Sequence, residues 1–236
     1  MSERRESLSD WDGIADWWID AVRDDPTQSS DTLGVLEDLV GGTGGRTIDL
    51  GCGEGQVMRR LGGEIVGTDL STELLHHAAQ VGPVVRACLP DLSWVRPHSF
   101  DRAVACGVID MLEDHVALFR SVAEAVRPGG HLVAVMNHPA ATAPHSEPLA
   151  DPEGQVLWKW GSYLTSGSWT EWAGAHPIRI FHRSLATLLS DAASSGWSLE
   201  RLIERGPSAD AIARFPDLHG QENIPSLIGL RWSRTN

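Results

Sequence analysis

From residue 46 onward, short apolar stretches recur, separated by polar and glycine-rich segments: RTIDL (46–50), EIVGTD (64–69), PVVRA (83–87), FDRAVAC (100–106) and HLVAVMN (131–137). Each is rich in Val, Ile and Leu, the pattern of parallel strands buried on both faces. Between them lie segments of helical spacing. DHVALFRSVAEAV (114–126) puts Val116, Phe119, Ala123 and Val126 on one face, and PGG at 128–130 predicts its end. SLATLLSDAASSG (184–196) reads as a later helix, with Ser184 as N-cap and Gly196 as stop. Residues 8–41 predict two helices ahead of the first strand, an N-terminal helical cap. SLERLIER and SLIGLRW alternate as two closing strands. Strand and helix in alternation predict an α/β fold, a doubly wound and mostly parallel sheet covered by helices.

Residues 138–176 break that order. They carry Pro139, Pro144, Pro148 and Pro152, and with them Trp158, Trp160, Tyr163, Trp169 and Trp172. A connection this long inside a compact domain predicts a lid or binding loop. The same question attaches to Trp11, Trp17 and Trp18 in WDGIADWW, where helical spacing by itself says only that part of the segment is buried.

The 236 residues suit one domain, 1–236, with enough length for a core without disulfides or metals. A net charge of −13 speaks against a nucleic-acid footprint and against an anionic membrane surface. The three cysteines, Cys52, Cys88 and Cys106, form no C-x-x-C pair, so a reducing compartment is expected. MSERRESLSD lacks the apolar core of a secretory signal, and no stretch approaches eighteen apolar residues. A cytoplasmic protein is the expectation. The histidines show no H-E-x-x-H and no zinc-type spacing, so no metal site is expected.

The chemistry concentrates at TIDLGCGEGQV (47–57), where a strand runs into Gly51, Gly53 and Gly55. Glycine lets a backbone adopt φ > 0 and approach a ligand closely. A dinucleotide turn would read G-x-G-x-x-G, but its third position falls on Gln56, off-pattern for nicotinamide cofactors. Asp69 ends the next strand, placed to accept ribose hydroxyls as the acidic residue of doubly wound folds does. Ser71 suits the N-cap of the helix that follows. Asp49 sits within an apolar strand, where an unpaired charge is costly.

TIDLGCGEG, EIVGTDLS and AVRPGGHLVAV together resemble the class I S-adenosylmethionine-dependent methyltransferases, most densely over residues 46–137. MNHPA and FHRSL are similar to a bacterial small-molecule subgroup of that family, the methyltransferase type 11-like proteins. The resemblance implies a Rossmann-like, seven-stranded sheet with N-terminal helices and an inserted lid after strand five. It implies S-adenosylmethionine as cofactor and S-adenosylhomocysteine as product. Trp18, Asp49, Gly51, Cys52, Gly53, Gly55, Asp69, Leu70, Cys88, Leu89 and Cys106 would then surround it. Asp49 would orient the glycine turn and the methionine end. Cys88 stands where the family usually has an acidic partner for the adenine amino group, and a thiol is a weak acceptor.

A sulfonium methyl is already activated, so alignment of the acceptor supplies much of the rate, and a base is needed only for an acceptor that must lose a proton. His138 and Asp110 are the candidate catalytic residues, since both follow strand C-termini, where this fold gathers reactive groups. Imidazole titrates near neutrality. His138 would equally serve to fix the NHP turn through backbone bonds, and Asp110 to cap a helix. Trp158, Trp160, Tyr163 and Trp169 offer apolar faces with one polar handle, and with His182 they are the candidate substrate residues; His182 would also brace the lid. The expected acceptor is a small, partly apolar molecule, methylated on O or N, as in secondary metabolism. A tRNA or peptide acceptor, or a binding module without transfer, are the alternatives.

Overall fold

The computed structural model describes residues 11–23, 25–42 and 44–235; the first residues of the expected N-terminal cap, 8–10, lie outside them. Helix α1 (Ala15–Arg23) is followed by a π-helical turn, Thr27–Thr32, continuous with α2 (Leu33–Val40). The alternating core then runs β1 (Thr47–Leu50), α3 (Gln56–Leu61), β2 (Ile65–Asp69), α4 (Thr72–Ala78), β3 (Val84–Arg86), β4 (Phe100–Cys106), α5 (His115–Ala125) and β5 (Val126–Asn137). Beyond β5 come the short α6 (Pro139–Thr142), β6 (Glu147–Ala150), β7 (Val156–Lys159), β8 (Gly167–Ala173) and β9 (His176–His182). The chain closes with α7 (Leu185–Ser194), β10 (Trp197–Arg205), α8 (Ala209–Arg214) and β11 (Leu227–Arg234).

Seven strands form one sheet in the order β10-β11-β5-β4-β1-β2-β3. Strands β1 to β5 are mutually parallel, and β11 enters antiparallel between β5 and β10. The winding direction reverses between β1 and β4, so their C-terminal ends flank the crevice where ligands of open α/β sheets bind.

The central strands are largely apolar because both faces are covered. Ile48, Leu50, Ala103, Ala105, Leu132, Ala134, Ile228, Leu230 and Trp232 pack on Leu118, Phe119 and Val122 of α5 and Leu188 and Ala192 of α7. Val104, Val133 and Val135 pack on the other side against Leu33, Val35, Leu36 and Leu39. The carbonyls at the end of α2 need partners. Arg102 Nη1 donates to the oxygens of Val40, Gly41 and Gly42, and Arg231 Nη1 to those of Leu39 and Val40. Cations at a helix C-terminus also complement its dipole.

Three expectations need correction. The buried stripe of α5 is His115, Leu118, Phe119, Val122 and Ala125 rather than the face through Val116 and Ala123. That stripe presents the larger apolar surface at i, i+3, i+4 and i+7 spacing. The segment PGG lies inside the β5 run instead of terminating the helix, which stops at Ala125. Residues 138–176 are no irregular loop: β6 pairs with β7, and β8 with β9, as two separate antiparallel hairpins.

Candidate functional site

The turn after β1 is shaped by backbone geometry that only glycine supplies without strain. Gly51 has φ +66°, and a Cβ there would meet Val108 Cγ2 at 2.6 Å. Gly55 has φ +90° and precedes α3, its own Cβ position 3.1 Å from the Ala78 Cα. The turn therefore lies against the β4 loop on one side and α4 on the other.

Asp69, at the end of β2, ties this turn to the next. Its Oδ2 accepts from the Gly53 N–H at 2.9 Å and its Oδ1 from the Ser71 N–H at 2.8 Å. Burial pushes its carboxyl pKa up, against the pull of those backbone donors. Each oxygen keeps a second lone pair for a ligand. Ser71 caps α4 as expected, accepting from Leu74 N–H at 3.1 Å.

Asp49 is 1% exposed, and neither carboxylate oxygen has a hydrogen-bond partner among the described residues. Burial, then the nearby Asp69 and Glu54 charges, raises its pKa well above the usual carboxylate range. An orphaned buried carboxylate costs about 1–3 kcal/mol, a cost that a cationic ligand or bridging water in the crevice would offset. Cys106, half-buried at the cavity wall, has its thiol pushed up to about 12 by desolvation and by Asp49 and Asp110. It is no nucleophile at neutral pH.

A cavity of about 390 Å³ opens over this turn, with Trp18, Gly51, Cys52, Gly53, Asp69, Leu70, Cys88, Leu89 and Cys106 in its wall. Nine of the eleven expected cofactor residues are thus brought together; Asp49 and Gly55 stand behind the wall. The glycine cradle, the Asp69 lone pairs and the unpartnered Asp49 fit a ligand with ribose hydroxyls and a positive charge. All three cysteines of the chain border the same space.

The expected catalytic and substrate residues fall elsewhere. His138 is buried outside the cavity wall: its Nδ1 accepts from Ala140 N–H at 3.0 Å, capping α6, and its Nε2 meets Glu204 Oε1 at 2.8 Å. With both ring nitrogens committed, it fixes the turn instead of facing an acceptor. Asp110 is fully buried, takes one hydrogen bond from Asn137 Nδ2 at 3.1 Å, and does not reach the cavity wall either. Trp158 donates to the Ala140 carbonyl, and Trp160 packs edge-on against Tyr163 at 5.3 Å between ring centroids. His182 sits between Tyr163 O and Thr142 Oγ1, bonded to both. Trp169 packs with Ile14, Ile178 and Ile180. None of the five expected substrate residues lines the cavity.

The same wall also holds Trp11, Trp17, Met111, Asn137, Glu171, Trp172, Ile178, Arg179 and Ile180. Neighbouring residues Glu171 and Trp172, and consecutive Ile178, Arg179 and Ile180, reach the wall, so period-2 alternation in GSWTEWA and HPIRIFH does not single them out. The hairpin also touches the N-terminal helix: a Cβ on Gly174, in the β8–β9 turn with φ +60°, would meet Trp17 Nε1 at 2.5 Å.

Residues 48–134 match the family model described as a methyltransferase domain. A ubiquinone biosynthesis O-methyltransferase of Xanthomonas campestris is 34% identical over 113 residues, 42% of this chain and 47% of that protein. The chain spans less than half the length of the curated relatives it matches. An S-adenosylmethionine-dependent methyltransferase structure from Mesorhizobium loti superposes with TM-score 0.76 at 29% identity, covering 90% of this chain and all of that one. A glycopeptide N-methyltransferase in complex with S-adenosylhomocysteine shares the fold, with TM-score 0.59 and 18% identity over 89% and 90% of the two chains.

Proposed function

We propose that this chain is a class I S-adenosylmethionine-dependent methyltransferase and that it transfers a methyl group to an oxygen or nitrogen of a small, partly apolar molecule. The observation that carries the reading is the crevice at the end of β1: a glycine cradle, Asp69 and the unpartnered Asp49 around one cavity. The bound cofactor supplies an activated methyl. Asp69 would hold the ribose hydroxyls, the Gly51–Gly55 turn the amino-acid end, and Leu89 with Cys88 would border the adenine. Trp18, whose Nε1 lies 3.9 Å from a Cβ position on Gly53, covers the turn and excludes water from it.

No histidine borders the cavity among the described residues. Rate enhancement on this reading comes from holding acceptor and methyl at near-attack distance, with bulk water at the mouth taking up any proton. Residues 1–236 act as one methyltransferase unit, with 138–176 as acceptor lid, in the cytoplasm and in a setting such as secondary metabolism. The acidic balance, −13, argues against a tRNA acceptor. Among the described residues no helix is long and apolar enough to cross a membrane. A second reading, a cofactor-binding module without transfer, is favoured by one feature, the exposed Cys88 in place of an acidic adenine partner.

Calorimetry with S-adenosylmethionine and S-adenosylhomocysteine, beside a methyl-transfer screen over small amines, phenols and carboxylic acids, tests both. Binding with turnover supports the enzyme; binding with no turnover on any acceptor supports the module. No binding of either ligand removes both.

A further inference from the structure

A second cavity, of about 510 Å³, lies at the N-terminal edge of the sheet, away from the crevice. Strand β4 spans the distance between the two: Arg102, near its start, lines this cavity, and Cys106, at its end, lines the crevice. The loop from α2 to β1 forms one wall through Gly41, Gly42, Gly44 and Gly45. Arg127 and His131 enter from the first half of β5, and Arg231 from β11.

Three guanidiniums and an imidazole thus border a space whose wall holds one carboxylate, Asp101. That carboxylate is engaged within the wall, its Oδ2 accepting from the Arg46 N–H at 2.7 Å and its Oδ1 from Arg127 Nε. Glu200, outside the wall, accepts from Arg231 Nε at 3.0 Å. Two carboxylates therefore stand against three guanidiniums, and the hydrogen-bond partners of Arg102 are all backbone carbonyls. Its Nη1 is shared among Val40, Gly41 and Gly42 at 3.2–3.3 Å, and its Nη2 donates to Gly44 at 2.9 Å.

The carbonyls that end α2 require donors, a need that neutral amides or water also meet. They do not require a guanidinium that is only 7% exposed, beside a second one. Burying a charge without a counter-charge is costly. Burial, then the charge of Arg231, pushes the Arg102 pKa down against the pull of Asp101. The wall carries more positive charge than its own hydrogen bonds explain.

Donors also remain. Arg127 uses Nε on Asp101, and neither of its Nη nitrogens has a partner among the described residues. Arg231 Nη2 lies 2.9 Å from His131 Nε2. A guanidinium only donates, so Nε2 accepts and the ring proton sits on Nδ1. Burial, then the charge of Arg231, holds the His131 pKa down against Glu200, with Arg102 and Arg127 pushing the same way, which keeps this tautomer neutral.

We propose that this cavity binds a compact, doubly charged oxyanion of the phosphate type, free or as the phosphate group of a small polar metabolite, with the Arg127 Nη groups and the His131 Nδ1–H as donors and Arg102 and Arg231 supplying the field. Guanidinium forks match phosphate oxygens in pairs. Val40 is the one apolar side chain among the described residues of the wall, so an aromatic or apolar ligand finds no surface here. The net charge of −13 is no bar. Exposed charges beyond about 8 Å are screened at physiological ionic strength, which leaves the local cluster to decide.

The site stands independently of the methyltransferase reading. Its test is calorimetric titration with sodium phosphate and with glycerol 3-phosphate, sodium chloride holding ionic strength constant, on protein with and without S-adenosylhomocysteine. One anion should bind per chain, saturably, and with the same affinity in both forms. Arg127→Gln should weaken binding about tenfold, the scale of a lost charged hydrogen bond, and Arg127→Lys should restore part of it. Arg214→Gln, an equal change of net charge on exposed α8, should leave it unaltered; circular dichroism checks each fold. Tighter binding of glycerol 3-phosphate identifies a metabolite as the ligand, and tighter binding of phosphate the free ion. Heats no different from those of chloride overturn the proposal, as does saturable binding that survives Arg127→Gln. Competition between phosphate and S-adenosylhomocysteine would also overturn it, by placing the anion in the crevice.

Discussion

Asp49 shows how a residue can work against the fold it belongs to. Its carboxylate is buried without a partner, and its pKa is raised by burial and by Asp69 and Glu54. A carboxyl whose folded pKa lies above its unfolded value favours folding only below the unfolded value. It loses that contribution as pH climbs through the raised one. Asp49→Asn should therefore stabilise the ligand-free protein by about 1–3 kcal/mol at pH 8, a rise in Tm of roughly 2–4 °C per kcal/mol. The gain should shrink as pH falls toward 4, and cofactor affinity should drop in the same variant. Thermal melts at pH 5 and pH 8 check the sign. An equal difference at both values would contradict the burial argument.

His138 makes the complementary case. As the cap of α6 bonded to Glu204, it owes its place to structure. His138→Ala should cost about 1 kcal/mol of stability, as lost caps do, with turnover per folded molecule largely retained. A loss of turnover beyond tenfold in the folded variant would return it to the catalytic groups.

At the scale of elements, the β8–β9 hairpin and the lead-in to helix α1 form one apolar unit through Ile14, Ile178 and Ile180. Gly174 is the point of closest approach, with Trp17 pressed where a side chain would go. Gly174→Val adds a side chain at positive φ against an indole and should part the roof. The expected result is a higher acceptor KM and faster proteolysis within residues 144–175, with the melting of the central sheet little changed. Protection equal to that of the parent would show that the roof does not depend on this contact.

The elements that the sequence made legible are those whose physics is local. Both faces of β1, β2, β4 and β5 are covered, so their apolar runs stood out, and Ser71 and Ser184 could be recognised as caps because the helix N–H groups they serve lie three residues on. The hairpins at 147–182 were hidden because Pro, Gly and Trp there read as loop chemistry, and the β8–β9 pair packs on Ile14 and Trp17 far back in the chain. The cofactor wall was legible for the same reason as the turn: glycines and Asp69 act within one strand-turn-helix. The rest of the cavity wall was not. It is assembled from α1, the end of β5 and the β8–β9 hairpin, and no one-dimensional spacing links Trp17, Asn137 and Glu171.

For the molecule as a whole, the sheet reversal between β1 and β4 decides where chemistry happens, and the acidic surface decides what approaches. With net charge −13 and four carboxylates on or behind the cavity wall, Asp49, Asp69, Glu54 and Glu171, the field favours a cationic cofactor over polyanions. Duplex DNA or tRNA should show no saturable binding at 50 mM salt, where counterion release would be strongest. Tight, salt-sensitive binding of either would contradict the small-molecule account. The most direct test of the central claim is calorimetric titration of S-adenosylhomocysteine into the parent protein and into Asp69→Ala, each checked for folding by circular dichroism. Hydrogen bonds to a charged group are worth about 1.5–3 kcal/mol, so the parent should bind and the variant should bind roughly tenfold to a hundredfold more weakly. Equal affinities in two folded proteins would contradict the account.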